Sequence, residues 1–264
     1  MSLAEALLDL QELTRQLRRE CPWDREQTAV TIVPHTLEEA YEVADAALAD
    51  DAEALHGELG DLLFQVYFLS LLLEERGQGD LESVAREVHA KLVRRHPHVF
   101  GDAEARTPGR VRERWEALKT EQEGREGIFH DVPEALPALL QSRKVQRRAA
   151  VVGYDWTDLA GPLAKVREEL SELEEASARA GEPAPETEPD REVFHELGDV
   201  LFTVVNVARR LNVDPELALR ATTRRFTERV ETAADLAESE GVEWRSLDLD
   251  AQDAYYERAK EALA

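Results

Sequence analysis

One acidic pattern, written twice, constrains this chain more than any other feature. Glu38-Glu39-Ala-Tyr-Glu42 is followed by Glu58-Leu-Gly-Asp61, and Glu168-Glu169-Leu-Ser-Glu172 is followed by Glu196-Leu-Gly-Asp199. Residues three apart on a helix share a face. Each copy therefore offers two carboxylate pairs, Glu39/Glu42 with Glu58/Asp61 and Glu169/Glu172 with Glu196/Asp199. Two such helices packed side by side bring four carboxylates together, which is a cage for a hard divalent cation. Oxygen-only donors favour Mg2+ or Mn2+ over zinc or copper.

The ordinary alternative is a solvated helix face, with Glu39 serving a Thr36-x-x-Glu39 capping box. Two observations weigh against it. The second copy keeps Glu169 and Glu172 although its opening, Gly161-Pro162-Leu163-Ala164, carries no capping box. In addition, Glu58 and Asp61 stand among Leu59, Leu62, Leu63, Phe64, Val66, Tyr67 and Phe68, and Glu196 and Asp199 among a matching apolar set. A helix apolar nearly all round is expected to be buried. Carboxylates drawn in with it are costly unless paired or metal-bound. A carboxylate-bridged di-iron bundle is a further reading, but those sites use Glu-x-x-His on two helices. Here the third residue after Glu58 and after Glu196 is Asp.

Clear alternating strand segments are absent, so the expected fold is all-α, a tandem duplication of one helical unit. The first unit, 1–122, is expected to hold helices over Leu3–Arg19, from Thr36 to about Leu48, over Glu53–Glu75, Leu81–Arg95 and Val111–Gln122. A Gly- and Pro-marked linker, 123–136, leads to the second unit, 137–264. Its helices are expected near Leu136–Arg148, from Pro162 to before Gly181, and over Glu192–Arg210, Pro215–Glu238 and Ala251–Leu263, with Gly181–Pro189 as a mobile loop. Leu62–Leu73 is too short to span a bilayer and reads as a buried helix. Trp23, Trp115 and Trp156 read as core anchors.

The net charge of −24 argues against binding nucleic acid or anionic membranes, which needs a basic face. A small anionic substrate stays open if a metal and a few local Lys/Arg offset the repulsion. One cysteine, Cys21, forms no internal disulfide and fits a reducing cytosol. The early acidic residues Glu5, Asp9 and Glu12 do not suit a signal peptide.

With these carboxylates, the sequence resembles the MazG nucleoside triphosphate pyrophosphohydrolases. Further matches are Cys21-Pro-Trp-Asp24, Lys91-Leu-Val-Arg-Arg-His-Pro-His-Val-Phe100 and Arg114-Trp-Glu-Ala-Leu-Lys-Thr120 in the first half. Val152-Gly-Tyr-Asp-Trp156 and His195-Glu-Leu-Gly-Asp-Val-Leu-Phe202 match in the second. The resemblance implies a Mg2+-dependent enzyme, with Mn2+ as a substitute, that converts NTPs and dNTPs to monophosphates and pyrophosphate. It also implies a homodimer, a role in nucleotide-pool housecleaning and a cytoplasmic location.

Carried over residue by residue, Glu169, Glu172, Glu196 and Asp199 hold metal in the second copy, and Glu39, Glu42, Glu58 and Asp61 match them in the first. Glu168 and Glu38, or one of the metal-holding carboxylates, are candidate proton acceptors. The resemblance assigns substrate contacts to Lys165, Glu192, His195, Arg225, Arg229, Tyr256 and Lys260, and in the first copy to Lys91, Arg95, Trp115 and Lys119. Arg225 stands where lysine is frequent in the family, and Tyr256 stands where tryptophan is. In the first copy His35 occupies the Lys165 position and Ala54 the Glu192 position, which favours the second copy as the main active site. A regulatory nucleotide-binding or scaffold module without turnover is the competing reading.

Overall fold

The computed structural model describes residues 1–101, 127–130, 132–181 and 188–263. The chain divides into two compact units, Met1–Glu123 and Gly124–Ala264. Among the described residues every regular element is helical.

Unit 1 contains α1 (Leu3–Glu20), α2 (Pro22–Glu26), α3 (Ala29–Leu48), α4 (Ala52–Glu75), α5 (Leu81–Arg95) and α6 (Pro97–Phe100). Side-chain caps start α1, α3, α4 and α5 by accepting otherwise orphaned backbone N–H groups. Ser2 and Glu5 form a capping box on α1, Asp51 accepts from Glu53 and Ala54 on α4, and Asp80 accepts from Ser83 on α5. The long helices α3 and α4 pack along each other, and α1 and α5 pack on α4. A cluster of Ile32, Phe68 and Leu72 forms the buried centre, with Ala29, Phe64 and Leu69 packed against it.

Unit 2 repeats the plan. It contains α7 (Ala138–Val151), α8 (Ala160–Ala180), α9 (Arg191–Arg210), α10 (Pro215–Ser239), a 3-10 turn (Trp244–Ser246) and α11 (Leu249–Ala262). The helices α8 and α9 pair as α3 and α4 do, while α7 packs on α9 and α10, and α10 on α11. Asp190 and Asp214 cap α9 and α10 as Asp51 and Asp80 cap their counterparts. At the C-terminal end of α8, Gly181 takes φ 75°, a conformation that costs an L side chain and not glycine.

Three expectations need correction. The helix carrying Glu38, Glu39 and Glu42 does not open at Thr36. It opens at Ala29, where Thr28 and Thr31 form the capping box, and Pro34 lies inside it. The Thr36 hydroxyl donates to the Ile32 carbonyl, a bond only an already formed helix offers. Proline at the sixth helical position loses one backbone bond, and the flanking turns tolerate that.

Second, α4 is not buried all round. Phe68 and Leu72 are buried, yet Leu59, Leu63, Val66 and Leu73 are 36–50% exposed. Third, Trp23 and Trp156 are not core anchors, being 52% and 41% exposed. Trp23 is the second residue of the short α2 and Trp156 lies in the loop before α8, so neither stands within a pair of long helices. The expected helix over Val111–Gln122, with Trp115 and Lys119, and most of the Gly181–Pro189 loop lie outside the described residues.

Candidate active site

In each unit the paired long helices present their acidic residues to one another. Glu39 on α3 meets Glu58 and Asp61 on α4, and Glu169 on α8 meets Glu196 and Asp199 on α9. In each group one oxygen from every carboxylate lies within 4.8 Å of the others. Glu42 is within hydrogen-bond reach of Glu39 and Glu58, and Glu172 of Glu169. Three of the four expected carboxylates of each unit thus converge, one from the first long helix and two from the second, with Glu42 and Glu172 beside them.

The carboxylates repel one another. Desolvation and the charges of Asp61 and Glu42 hold the Glu39 carboxyl above its ordinary range. Desolvation and then the charge of Glu42 do the same to Glu58. Glu172 is raised by its hydrogen bond to Glu169, then by desolvation and the charge of that neighbour. Opposed like charges at this spacing favour the neutral form of one member. A small divalent cation relieves the same repulsion, and three converging carboxylates with a fourth at the rim match its oxygen donor preference.

The surroundings of the two clusters differ. In unit 2 the Lys165 ammonium donates to Glu168 and to Glu169, both at 2.7 Å. Those two bonds hold its proton well beyond the ordinary lysine range. Glu169 is 6% exposed, the most buried carboxylate of either cluster. In unit 1 His35 stands 3.7 Å from Glu38 and meets the edge of the Trp23 ring at 5.7 Å. One copy thus places a fixed positive charge against its cluster, and the other an imidazole.

The remaining expected residues are spread more widely. Glu192 is bound by Arg179, whose guanidinium donates to both carboxylate oxygens at 2.6 and 3.3 Å. His195 lies exposed at the start of α9 beside Phe194. Arg225 and Arg229 lie on α10, one turn apart, and Arg225 donates to the Thr222 hydroxyl. Tyr256 on α11 faces Phe226, whereas Lys260 is tied to Glu257 on its own helix. Lys91 and Arg95 lie in the last two turns of α5. Arg179 carries no such signal in the sequence. Its link to Glu192 joins two helices across a loop, and no local spacing shows such a link.

The loop Gly153–Trp156 leading into α8 is locked from two sides. Asp155 accepts from Arg209 and Arg210 of α9, and Trp156 lies so close to Gly161 that a Cβ there would stand 2.0 Å from the indole. These contacts brace the start of α8, the helix that carries Lys165 and Glu169.

Fold and site together define a class: a tandem all-α protein with an oxygen-donor carboxylate cluster in each unit. The family model of the MazG nucleotide pyrophosphohydrolase domain matches residues 27–100, and that of phosphoribosyl-ATP pyrophosphohydrolase matches residues 135–226. The nucleoside triphosphate pyrophosphohydrolase of Escherichia coli K12 is 38% identical over 263 residues, covering 98% of each chain. A nucleoside triphosphate pyrophosphohydrolase/pyrophosphatase MazG of Thermotoga maritima is 39% identical, covering 98% of this chain and 96% of that protein. A nucleoside triphosphate pyrophosphohydrolase of Mycobacterium tuberculosis is 34% identical over 56% of this chain. The chain belongs to the MazG nucleoside triphosphate pyrophosphohydrolase family.

Proposed function

We propose that this protein is a Mg2+-dependent nucleoside triphosphate pyrophosphohydrolase, accepting Mn2+ in place of Mg2+, that converts NTPs and dNTPs to monophosphates and pyrophosphate. Its role is nucleotide-pool housecleaning, it works as a homodimer, and the second unit is the main active site. The carboxylate triad repeated at matched positions of both helix pairs carries the reading.

Glu169, Glu172, Glu196 and Asp199 would hold the ion in unit 2, and Glu39, Glu42, Glu58 and Asp61 in unit 1. When bound, Mg2+ supplies Lewis acidity toward phosphoryl oxygens and lowers the pKa of bound water. The chain's own groups do the rest. Arg225 and Arg229 neutralise the phosphates and the charge that develops on them. Lys165 now holds Glu168. Moving its ammonium to a phosphate oxygen frees that carboxylate to take the proton of the attacking water, and Glu38 has the matching place in unit 1. Attack on the α or the β phosphorus breaks the same anhydride bridge and gives the same two products.

Lys165 against His35 supports the preference for unit 2, because Lys165 sets an ammonium on Glu168 and Glu169 where the first copy has an imidazole 3.7 Å from Glu38. The direct test is pyrophosphate release from a panel of NTPs and dNTPs with and without Mg2+. Release that depends on the ion is expected. Nucleotide binding with no release under either condition would replace this reading with a regulatory or scaffold module.

A further inference from the structure

Unit 2 contains an open cavity of about 390 Å3 between α10, the 3-10 turn and α11, in the size range of small-molecule sites. Phe226 and Val230 line one side, Trp244 the turn, and Gln252, Asp253 and Tyr256 the other side. The Phe226 and Tyr256 rings lie 6.0 Å apart at 47°, in direct ring contact. They form one aromatic wall for a flat ligand to lie against, with no slot between them.

Two features say what kind of flat ligand fits. Arg225 and Arg229 flank Phe226 and Val230 on α10, so a cationic strip runs beside the aromatic wall. A planar group joined to a polyanion suits that pairing. The second feature is Asp253. It lies three residues before Tyr256 on α11 and shares its helix face. Gln252 is engaged, its amide donating to the Trp244 carbonyl at 3.1 Å. Among the described residues no side chain bonds to Asp253, which leaves it as the lone charged group of the lining.

An ionised carboxylate accepts hydrogen bonds and donates none. It therefore discriminates among base edges. Guanine offers two adjacent donors, N1–H and the 2-amino group, which a carboxylate can engage together. Adenine and cytosine set an amino group beside an acceptor nitrogen, and uracil sets its single N–H between two carbonyls. We infer that Asp253 reads the base and makes guanine nucleoside triphosphates the favoured substrates. This inference rests on the pyrophosphohydrolase reading of unit 2.

The test measures kcat/KM of the full-length protein for GTP, ATP, CTP, UTP and xanthosine triphosphate, in the wild type, Asp253→Asn and Tyr256→Ala. The wild type should favour GTP. In Asp253→Asn the GTP/ATP ratio should fall by about 10-fold or more, since one good bidentate pair discriminates by roughly that much or better. The xanthosine triphosphate/GTP ratio should rise, because an asparagine amide can donate to the C2 carbonyl while accepting from N1–H. ATP turnover by the same sample shows that the variant is folded. An unchanged GTP/ATP ratio in Asp253→Asn, with Tyr256→Ala lowering every triphosphate, overturns Asp253 as the reader and leaves the aromatic wall as the base site. No pyrophosphate release from any triphosphate by the wild type overturns both readings.

Discussion

Asp155 shows how single residues hold the site's frame. Burial opposes its charge, yet hydrogen bonds and charge from Arg209, and the charge of Arg210, keep its carboxyl below the ordinary range. A depressed folded-state pKa contributes stability that is fully present above the unfolded value. That stability is lost as pH falls through the folded one. Glu75, held down by Arg18, behaves alike. The cluster carboxylates Glu39, Glu58 and Glu172 are raised, so they act in the opposite sense: acidification from neutrality first relieves their repulsion. Without added divalent ions, the urea midpoint should therefore rise slightly as pH drops toward about 5, and fall below about 4 as Asp155 and Glu75 protonate. Asp155→Asn should flatten the acid limb and lower stability at neutral pH by roughly 1.5–3 kcal/mol. An acid limb identical in both proteins would contradict this account of the loop. The eight clustered carboxylates were legible in the sequence because helix spacing alone fixes their faces. The bonds of Asp155 to α9 and of Arg179 to Glu192 were not, because they join residues far apart in the chain or across a loop.

At the level of elements, the carboxylate helices leave a stripe of large apolar side chains uncovered. On α9, Phe194, Leu197, Leu201 and Val204 are 46–63% exposed and spaced three or four residues apart. On α4, Leu59, Leu63 and Val66 occupy the positions equivalent to Leu197, Leu201 and Val204, and they are 37–50% exposed. This is the spacing of a helix–helix seam, and each such side chain contributes roughly 1.5–3 kcal/mol when fully buried. The proposed homodimer covers these stripes. Sedimentation should give twice the chain mass of 29.8 kDa, and Leu201→Asp should shift the protein toward monomer by about 10-fold or more in dissociation constant. A wild-type monomer at micromolar concentration would contradict the dimer. Periodicity showed that these helices are apolar nearly all round, but it cannot say which surface covers the outer face. For the same reason the sequence pattern starts α3 too late: Pro34 looks like a boundary, and the Thr28–Thr31 cap outweighs it.

For the whole molecule, duplication has conserved an architecture while its two sites have drifted apart. Both units pair their long helices, cap the second helix of each pair with aspartate and converge three carboxylates. Lys165 bound to its cluster, and Arg179 bound to Glu192, have no counterparts at His35 and Ala54. The duplication and the ordered acidic set were readable from sequence since both are patterns along one chain. The asymmetry showed there as unequal residues, and the structure adds what those residues touch. We propose that these carboxylates are the working centre of a triphosphate hydrolase, with unit 2 dominant. That role is tested most directly by pyrophosphate release, at saturating Mg2+, from Glu172→Gln, Glu42→Gln and the double variant. We predict a loss of roughly 100-fold or more from Glu172→Gln, and little change from Glu42→Gln. Unchanged release by the double variant would contradict the site, and a dominant loss from Glu42→Gln alone would contradict the choice of unit.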